Sequence, residues 1–166
     1  MITSPMTPIF DDYGGVRDVY LTLARTHDKE LVRSVVENAD IMPMVWDGHG
    51  PPPIPMHESI YHLAARVDGE LVGLITFIPI NSVTWNPHVN MLIRGRGIGT
   101  EVVKHGISWM FNNTECIKIV AFPPAYNRAM IRVFEKSGLL VEGRSPKSFK
   151  FNGTVFDRLL MGIGKG

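Results

Sequence analysis

A single cysteine, Cys116, stands in 166 residues, and that scarcity excludes an internal disulfide framework and any cysteine-rich metal site. It fits a reducing compartment, and the residue itself reads as a small buried hydrophobe beside a strand rather than as a nucleophile. An excess of charge is missing too. Seventeen basic residues against 16 acidic ones leave a formal charge of +1, which gives no global pull toward nucleic acid or an anionic membrane. Any cationic function must therefore be local. The chain also lacks an apolar run of about 18 residues and a charged n-region followed by an apolar h-region, so neither a membrane span nor a secretory leader is expected. No internal repeat or low-complexity tract appears. What remains, at 45% hydrophobic and 20% charged residues, reads as one cytoplasmic domain over 1–166 with a sizeable core.

The punctuation of the chain predicts its elements. Residues 1–15 carry Pro5, Pro8 and Gly14-Gly15 with little periodicity and read as an extended arm. Val16 to Ala24 reads as a strand. Thr26 is expected to cap a helix with Asp28 and Glu30 in its first turn and Leu31, Val32, Val35, Val36 and Ala39 on one stripe, ending between Asn38 and Pro43. Asp47 to Glu58 is a proline-rich loop, long enough to suggest a role beyond connection. Tyr61 to Val67, the tight-turn pair Asp68-Gly69 and the apolar run Leu71 to Ile80 predict a hairpin leading into a central strand. Val83 to Met91 alternates strictly, and Pro87, which cannot donate to a ladder, predicts a bulge or a locally unpaired edge there.

Arg94-Gly95-Arg96-Gly97-Ile98-Gly99-Thr100 follows that strand. Its glycines let the backbone turn tightly and approach a ligand, Arg94 and Arg96 add cationic donors, and the helix behind it aims unpaired N–H groups at the same spot. The same composition also suits an ordinary loop. Val103, Ile107, Met110 and Phe111 then form a helical stripe to Asn112-Asn113, and Ile117 to Phe122 returns as a buried strand. Pro123-Pro124 breaks that strand. Asn127 opens a helix with Met130, Ile131, Val133 and Phe134 inward, Gly138 closes it in the left-handed region, and Asn152-Gly153 marks a final hairpin within Leu139 to Ile163.

This order of elements resembles the GNAT family of acyl-CoA N-acyltransferases. Arg94-x-x-Gly97-x-Gly99 is similar to the family's pyrophosphate-binding signature, and Asn127 to Leu139 is similar to its second motif, in which an Asn opens a helix that a Gly and a bulky apolar residue close. The resemblance implies an α/β (α+β) fold whose central mixed, mostly antiparallel sheet of six to seven strands is splayed in the middle, with helices on both faces. It implies acetyl-CoA or another acyl-CoA as co-substrate, with the pyrophosphate on Arg94, Gly95, Arg96, Gly97, Ile98, Gly99 and Thr100. Asn127 joins that cofactor set, and the backbone N–H of Val89 meets the thioester carbonyl.

For transfer to an amine, His88 is the expected base, because its reference pKa lies near neutral and it stands on the polar face between Asn86 and Asn90. The competing reading of His88 is a half-exposed strand residue satisfied by its neighbours. The family's acid is often a Tyr in the second-motif helix, and counting from Asn127 puts Phe134 at that position. Met91 and Leu92 likewise replace the acidic and proline residues common before the signature arginine. Tyr126 reads as a packing residue. Asp47, His49, His57 and Glu58 match no common metal-site spacing, so no metal is expected. Trp46, Met42, Met44 and Met56 read as an apolar wall. The expected partner is a small-molecule or peptide amine, without nucleic acid or membrane, for a monomer or homodimer. The rival function is a non-catalytic member of the same fold, an assembly or interaction protein of a virion or toxin system.

Overall fold

The computed structural model describes residues 7–10, 16–38, 41, 56–95 and 97–166. Among these residues eight strands form one sheet: β1 (Thr7–Phe10), β2 (Val16–Arg25), β3 (Tyr61–Val67), β4 (Glu70–Pro79), β5 (Thr84–Met91), β6 (Lys118–Ala121), β7 (Leu140–Phe151) and β8 (Thr154–Gly164). Their spatial order is β1-β2-β3-β4-β5-β6-β8-β7. Strand β1 is one more than the sequence predicts. It turns part of the expected N-terminal arm into an antiparallel edge on β2.

All neighbours pair antiparallel except β5 and β6, which run parallel and match only at Thr84↔Lys118 and Trp85↔Ile119. Beyond Trp85 the two strands part. Two hairpins end at residues the sequence marked: Asp68 and Gly69 have φ of 50° and 84°, and Asn152 and Gly153 have 49° and 76°. Two successive left-handed residues match the right-handed twist of the flanking strands.

Helices lie on both faces. α1 (Lys29–Val36) covers one, and Val32, Val35 and Ile41 pack with Leu74 there. Its cap is Asp28, not Thr26: the Asp28 carboxylate accepts from the N–H groups of Glu30 and Leu31 at 3.0 and 3.2 Å. Thr26 instead accepts from the N–H of Asp28 at 3.1 Å, two residues too early to cap the helix. The helix ends at Val36, shorter than the stripe suggests, and Ala39 lies outside the described residues.

α2 (Ile98–Asn113) covers the opposite face. A Cβ on Gly106 would meet Ile75 Cδ1 at 3.0 Å and Phe77 Cζ at 3.2 Å, so this glycine sets how closely α2 approaches β4. Val102, Val103, Ile107 and Met110 bury against Leu21, Leu23, Leu63, Ile75 and Phe77, forming the main core with Cys116, Ile119 and Met161. α3 (Arg128–Lys136) adds Phe134 to the same core. Gly138 follows it at φ 97°, as the sequence predicts.

Of the bulge or locally unpaired edge expected at Pro87, the bulge is absent and the unpaired edge is present, on the side away from β4. Pairing between β4 and β5 runs without a break from Gly73↔Met91 to Pro79↔Trp85. Ile80 N–H donates to Thr84 O at one end and Leu92 N–H to Val72 O at the other, both at 2.8 Å. Because antiparallel bonding alternates, Asn86, His88 and Asn90 turn their backbone groups to β4, while Pro87 and Val89 turn theirs away. The missing donor of Pro87 therefore falls on the parted edge and costs the ladder nothing.

Candidate active site

The parting of β5 from β6 opens a slot of about 400 Å³ through the sheet. Along β5 it is lined by Asn86 to Asn90, across the gap by Phe122 to Pro124, Tyr126 and Asn127, and below by Met130 and Phe134. Phe149, Phe151 and Arg158 complete the far wall. Side chains alternate along a strand, so Asn86, His88 and Asn90 stand on the face opposite α2, and Pro87 and Val89 on the face toward it. Val89 packs on the main core, and its amide faces the slot.

His88 is exposed at the rim. Crowding by its neighbours removes water and pushes its pKa below the ordinary 6.5, favouring the neutral ring. The Asn86 side-chain amide lies 3.3 Å from His88 Nε2. Behind it, register aligns His62, Thr76 and His88 across β3, β4 and β5. His62 and Thr76 are buried, and His62 Nδ1 meets Thr76 Oγ1 at 2.8 Å. This polar row escaped sequence reading, because His62 registers there only as one outward position of an alternating strand.

The glycine loop stands at the end of β5. Gly95 and Gly97 have φ of 88° and 70°, a region that other L-residues rarely enter. Gly97 is the residue before α2 and supplies no side-chain cap; Ile98 N–H donates to Gly95 O at 3.4 Å, and the amides of Gly99 and Thr100 are left to an external acceptor. Gly99 differs from its two neighbours. It is helical, and a Cβ there would come no nearer than 4.0 Å to Met91 Cγ. Ile98 is buried, Thr100 is half-buried, and Arg94 is exposed. Arg96 lies outside the described residues.

Asn127 caps α3, its Oδ1 accepting from Met130 N–H at 3.1 Å, while its side chain also lines the slot. Phe134 is 3% exposed and occupies the slot floor with no proton to give. Tyr126 packs edge-on to Phe156 with ring centres 4.5 Å apart and stacks on Phe151 at 5.5 Å. Packing is thus part of its role, as the sequence suggests, but its ring also borders the slot. Burial raises the pKa of its phenol.

Phe122, Phe149, Phe151 and Arg158 were not foreseen as site residues. The available signal was Arg158 itself, a cation at the head of the apolar run Leu159 to Met161, on the side of β8 opposite the core residues Leu159 and Met161. Cys116 is fully buried, its thiol 3.4 Å from Lys118 O and pushed up in pKa by burial. No group of three or more His, Cys, Asp or Glu that could hold a metal occurs among the described residues. Met42, Met44, Trp46, Asp47 and His49 lie outside those residues. His57 is instead engaged with Ser59 Oγ at 2.7 Å. Among the described residues no helix is long and apolar enough to cross a membrane.

Residues 35–139 match the profile of a family described as the acetyltransferase (GNAT) family. No curated protein matches the sequence significantly. Among solved structures, the chain is similar to spermidine N-acetyltransferase from Vibrio cholerae in complex with CoA and spermine, with TM-score 0.74 and 19% identity, covering 87% of this chain and 95% of that one. The F149G mutant of the same Vibrio cholerae enzyme gives TM-score 0.74 at 16% identity over 87% and 93% of the two chains. A structure described provisionally as a phosphinothricin N-acetyltransferase gives TM-score 0.65 at 20% identity over 89% and 99%. At these identities the likeness concerns the fold.

Proposed function

The chain belongs to the acetyltransferase (GNAT) family, and on that premise we propose that it transfers an acetyl group from acetyl-CoA directly to an amine. The observation that carries this reading is the coincidence of two features at one end of β5: the uncapped start of α2 and the parted edge that presents the Val89 amide. The residues fit a CoA thioester. Left-handed Gly95 and Gly97 keep side chains out of the cradle, and the amides of Gly99 and Thr100 with the Arg94 guanidinium suit a pyrophosphate. Arg96 belongs to the same proposed set. The pantetheine arm takes the place that β6 vacates, its amides pairing with the free side of β5 as an added strand would.

The Val89 N–H then meets the thioester carbonyl oxygen, where negative charge grows during attack. His88 takes the proton of the attacking ammonium. The substrate N–H would displace the Asn86 amide, 3.3 Å from Nε2, and the lowered pKa keeps the ring neutral and able to take the proton. Asn127, with Oδ1 spent on its cap, offers Nδ2 to the arm. Phe134 leaves the departing thiolate to water or to Tyr126, which bears the one hydroxyl among the described residues lining the slot.

Calorimetry with acetyl-CoA tests the reading. The native chain is expected to bind, Gly97→Asp to lose binding by placing a carboxylate in the cradle, and Gly99→Ala to keep it. Absence of binding by the native chain would sink the proposal. Binding without thiol release on a broad amine panel would favour the non-catalytic alternative instead.

A further inference from the structure

Among the described residues, the slot that parts β5 from β6 is lined by amides, prolines, aromatics and aliphatics, and Arg158 is the one formally charged residue among them. Asp, Glu and Lys do not occur along it among the described residues. Arg158 is half-buried and held in place. Its Nε donates to Ser148 Oγ at 3.2 Å, and that hydroxyl donates in turn to Ser145 O at 2.8 Å.

No carboxylate of the described residues pairs with Arg158. The nearest in sequence, Asp157, points to the other face of β8 by strand alternation. It is already engaged by Arg144 Nε at 2.7 Å and by the Lys147 N–H at 2.9 Å. Those two groups, the Lys147 N–H first, hold the Asp157 carboxyl below its ordinary pKa, so it stays charged and committed to them.

The setting of Arg158 is aromatic. Its guanidinium carbon lies 5.8 Å from the centre of the Phe122 ring. Phe149 and Phe151 share the slot wall, and Tyr126 gathers Phe149, Phe151 and Phe156 around it. Alternation along β6 and β8 puts Phe122, Phe156 and Arg158 on the same face as His88, opposite the core residues Ala121, Leu159 and Met161. A half-buried guanidinium without a counter-ion favours an anionic ligand, which it binds in a two-pronged fork. The same charge, with no acidic wall residue beside it among the described residues, disfavours a substrate that carries a second ammonium.

Resting on the acetyl transfer proposed above, we infer that Arg158 anchors a carboxylate of the acceptor. The acceptor is thereby a free amino acid with an aromatic or large apolar side chain, which the Phe122, Tyr126, Phe149 and Phe151 surface receives, rather than a polyamine. Its amine faces His88 and its carboxylate faces Arg158. In the transfer, the ammonium gives one proton to His88, the freed amine nitrogen bonds to the acetyl carbonyl carbon, and the carbon–sulfur bond breaks; the nitrogen's second proton leaves to water as the departing thiolate takes up a proton to become CoA.

The test compares L-phenylalanine with 2-phenylethylamine, the same skeleton without the carboxylate, and with spermidine, each with acetyl-CoA and thiol release as readout. We expect kcat/KM for L-phenylalanine to exceed that for 2-phenylethylamine by roughly a hundredfold or more, as for a site built around one polar anchor. Spermidine should be the poorest of the three. Arg158→Gln should bring the ratio of the two aromatic amines toward unity, and Arg158→Lys should restore part of it. Equal kcat/KM for the two aromatic amines would overturn the anchor and leave the transferase standing. So would a preference for succinyl-CoA over acetyl-CoA that Arg158→Gln abolishes, since the carboxylate would then belong to the acyl group. Calorimetry of L-phenylalanine against the native chain and Arg158→Gln reads the anchor without turnover. Binding that depends on Arg158, with no acetyl transfer, would overturn the transferase reading alone.

Discussion

His88 shows how much a single side chain's role depends on what surrounds it. Its place on the outward face of β5 was legible from alternation, because Trp85 and Pro87 bury on the other side. The sequence does not show the Asn86 amide at 3.3 Å or the crowding that lowers its pKa. The sign of the resulting pH dependence is definite. A base works when unprotonated, so the His88-dependent acid limb of kcat/KM should fall as pH drops through a value below 6.5. A pH series on the native chain and His88→Ala measures this: the limb should vanish in the variant, and an unchanged limb would remove His88 from the base role. The same depression makes protonation of His88 unfavourable in the fold. Its contribution to stability is therefore complete above 6.5 and declines as pH falls from there toward the folded value. Tyr126 and Phe134 mark the opposite case. The sequence shows that Phe134 lacks a hydroxyl, but only three-dimensional packing shows that Tyr126 borders the same slot.

At the level of elements, periodicity and punctuation carried most of the information. The turns at Asp68-Gly69 and Asn152-Gly153, the Asn127 cap and the Gly138 stop all depend on residues a few positions apart, so local sequence suffices to place them. The cap of α1 was misplaced because Thr26 and Asp28 are both good N-cap residues, and the choice rests on which backbone enters the helix first. Strand β1 was missed because pairing with β2 is a tertiary event that no periodicity in 7–10 announces. Helix α2 yields a quantitative expectation. Gly106→Val should destabilise the fold by roughly 1–3 kcal/mol through overpacking against Ile75 and Phe77. Urea unfolding would check it, and an unchanged midpoint would mean that α2 does not depend on this close approach.

Across the whole molecule the decisive feature is a seam. The sheet is continuous from β1 to β5 and again from β6 through β8 to β7, but the join between β5 and β6 consists of two residue pairs. A ligand whose arm pairs with β5 inside that seam ties the two halves together and binds only the folded chain. Saturating acetyl-CoA at about a hundred times its dissociation constant should therefore add about 2.7 kcal/mol of stability. That corresponds to a rise in Tm on the order of 5–10 °C for a domain of this size. Differential scanning calorimetry reads the shift, and desulfo-CoA should reproduce most of it because the cradle and the strand edge do not contact the sulfur.

By itself the sequence determined the order of the elements from β2 onward, the turns, the glycine loop before α2 and the family resemblance. Each of these depends on short-range sterics, hydrogen bonding or periodicity. Only the tertiary structure decided that Pro87 needs no bulge, that β5 and β6 part beyond Trp85, and that Arg158 stands among aromatics on the same face as His88. Those outcomes join residues far apart in the chain, through strand register and packing, and no local pattern encodes which distant partner a strand will leave unpaired.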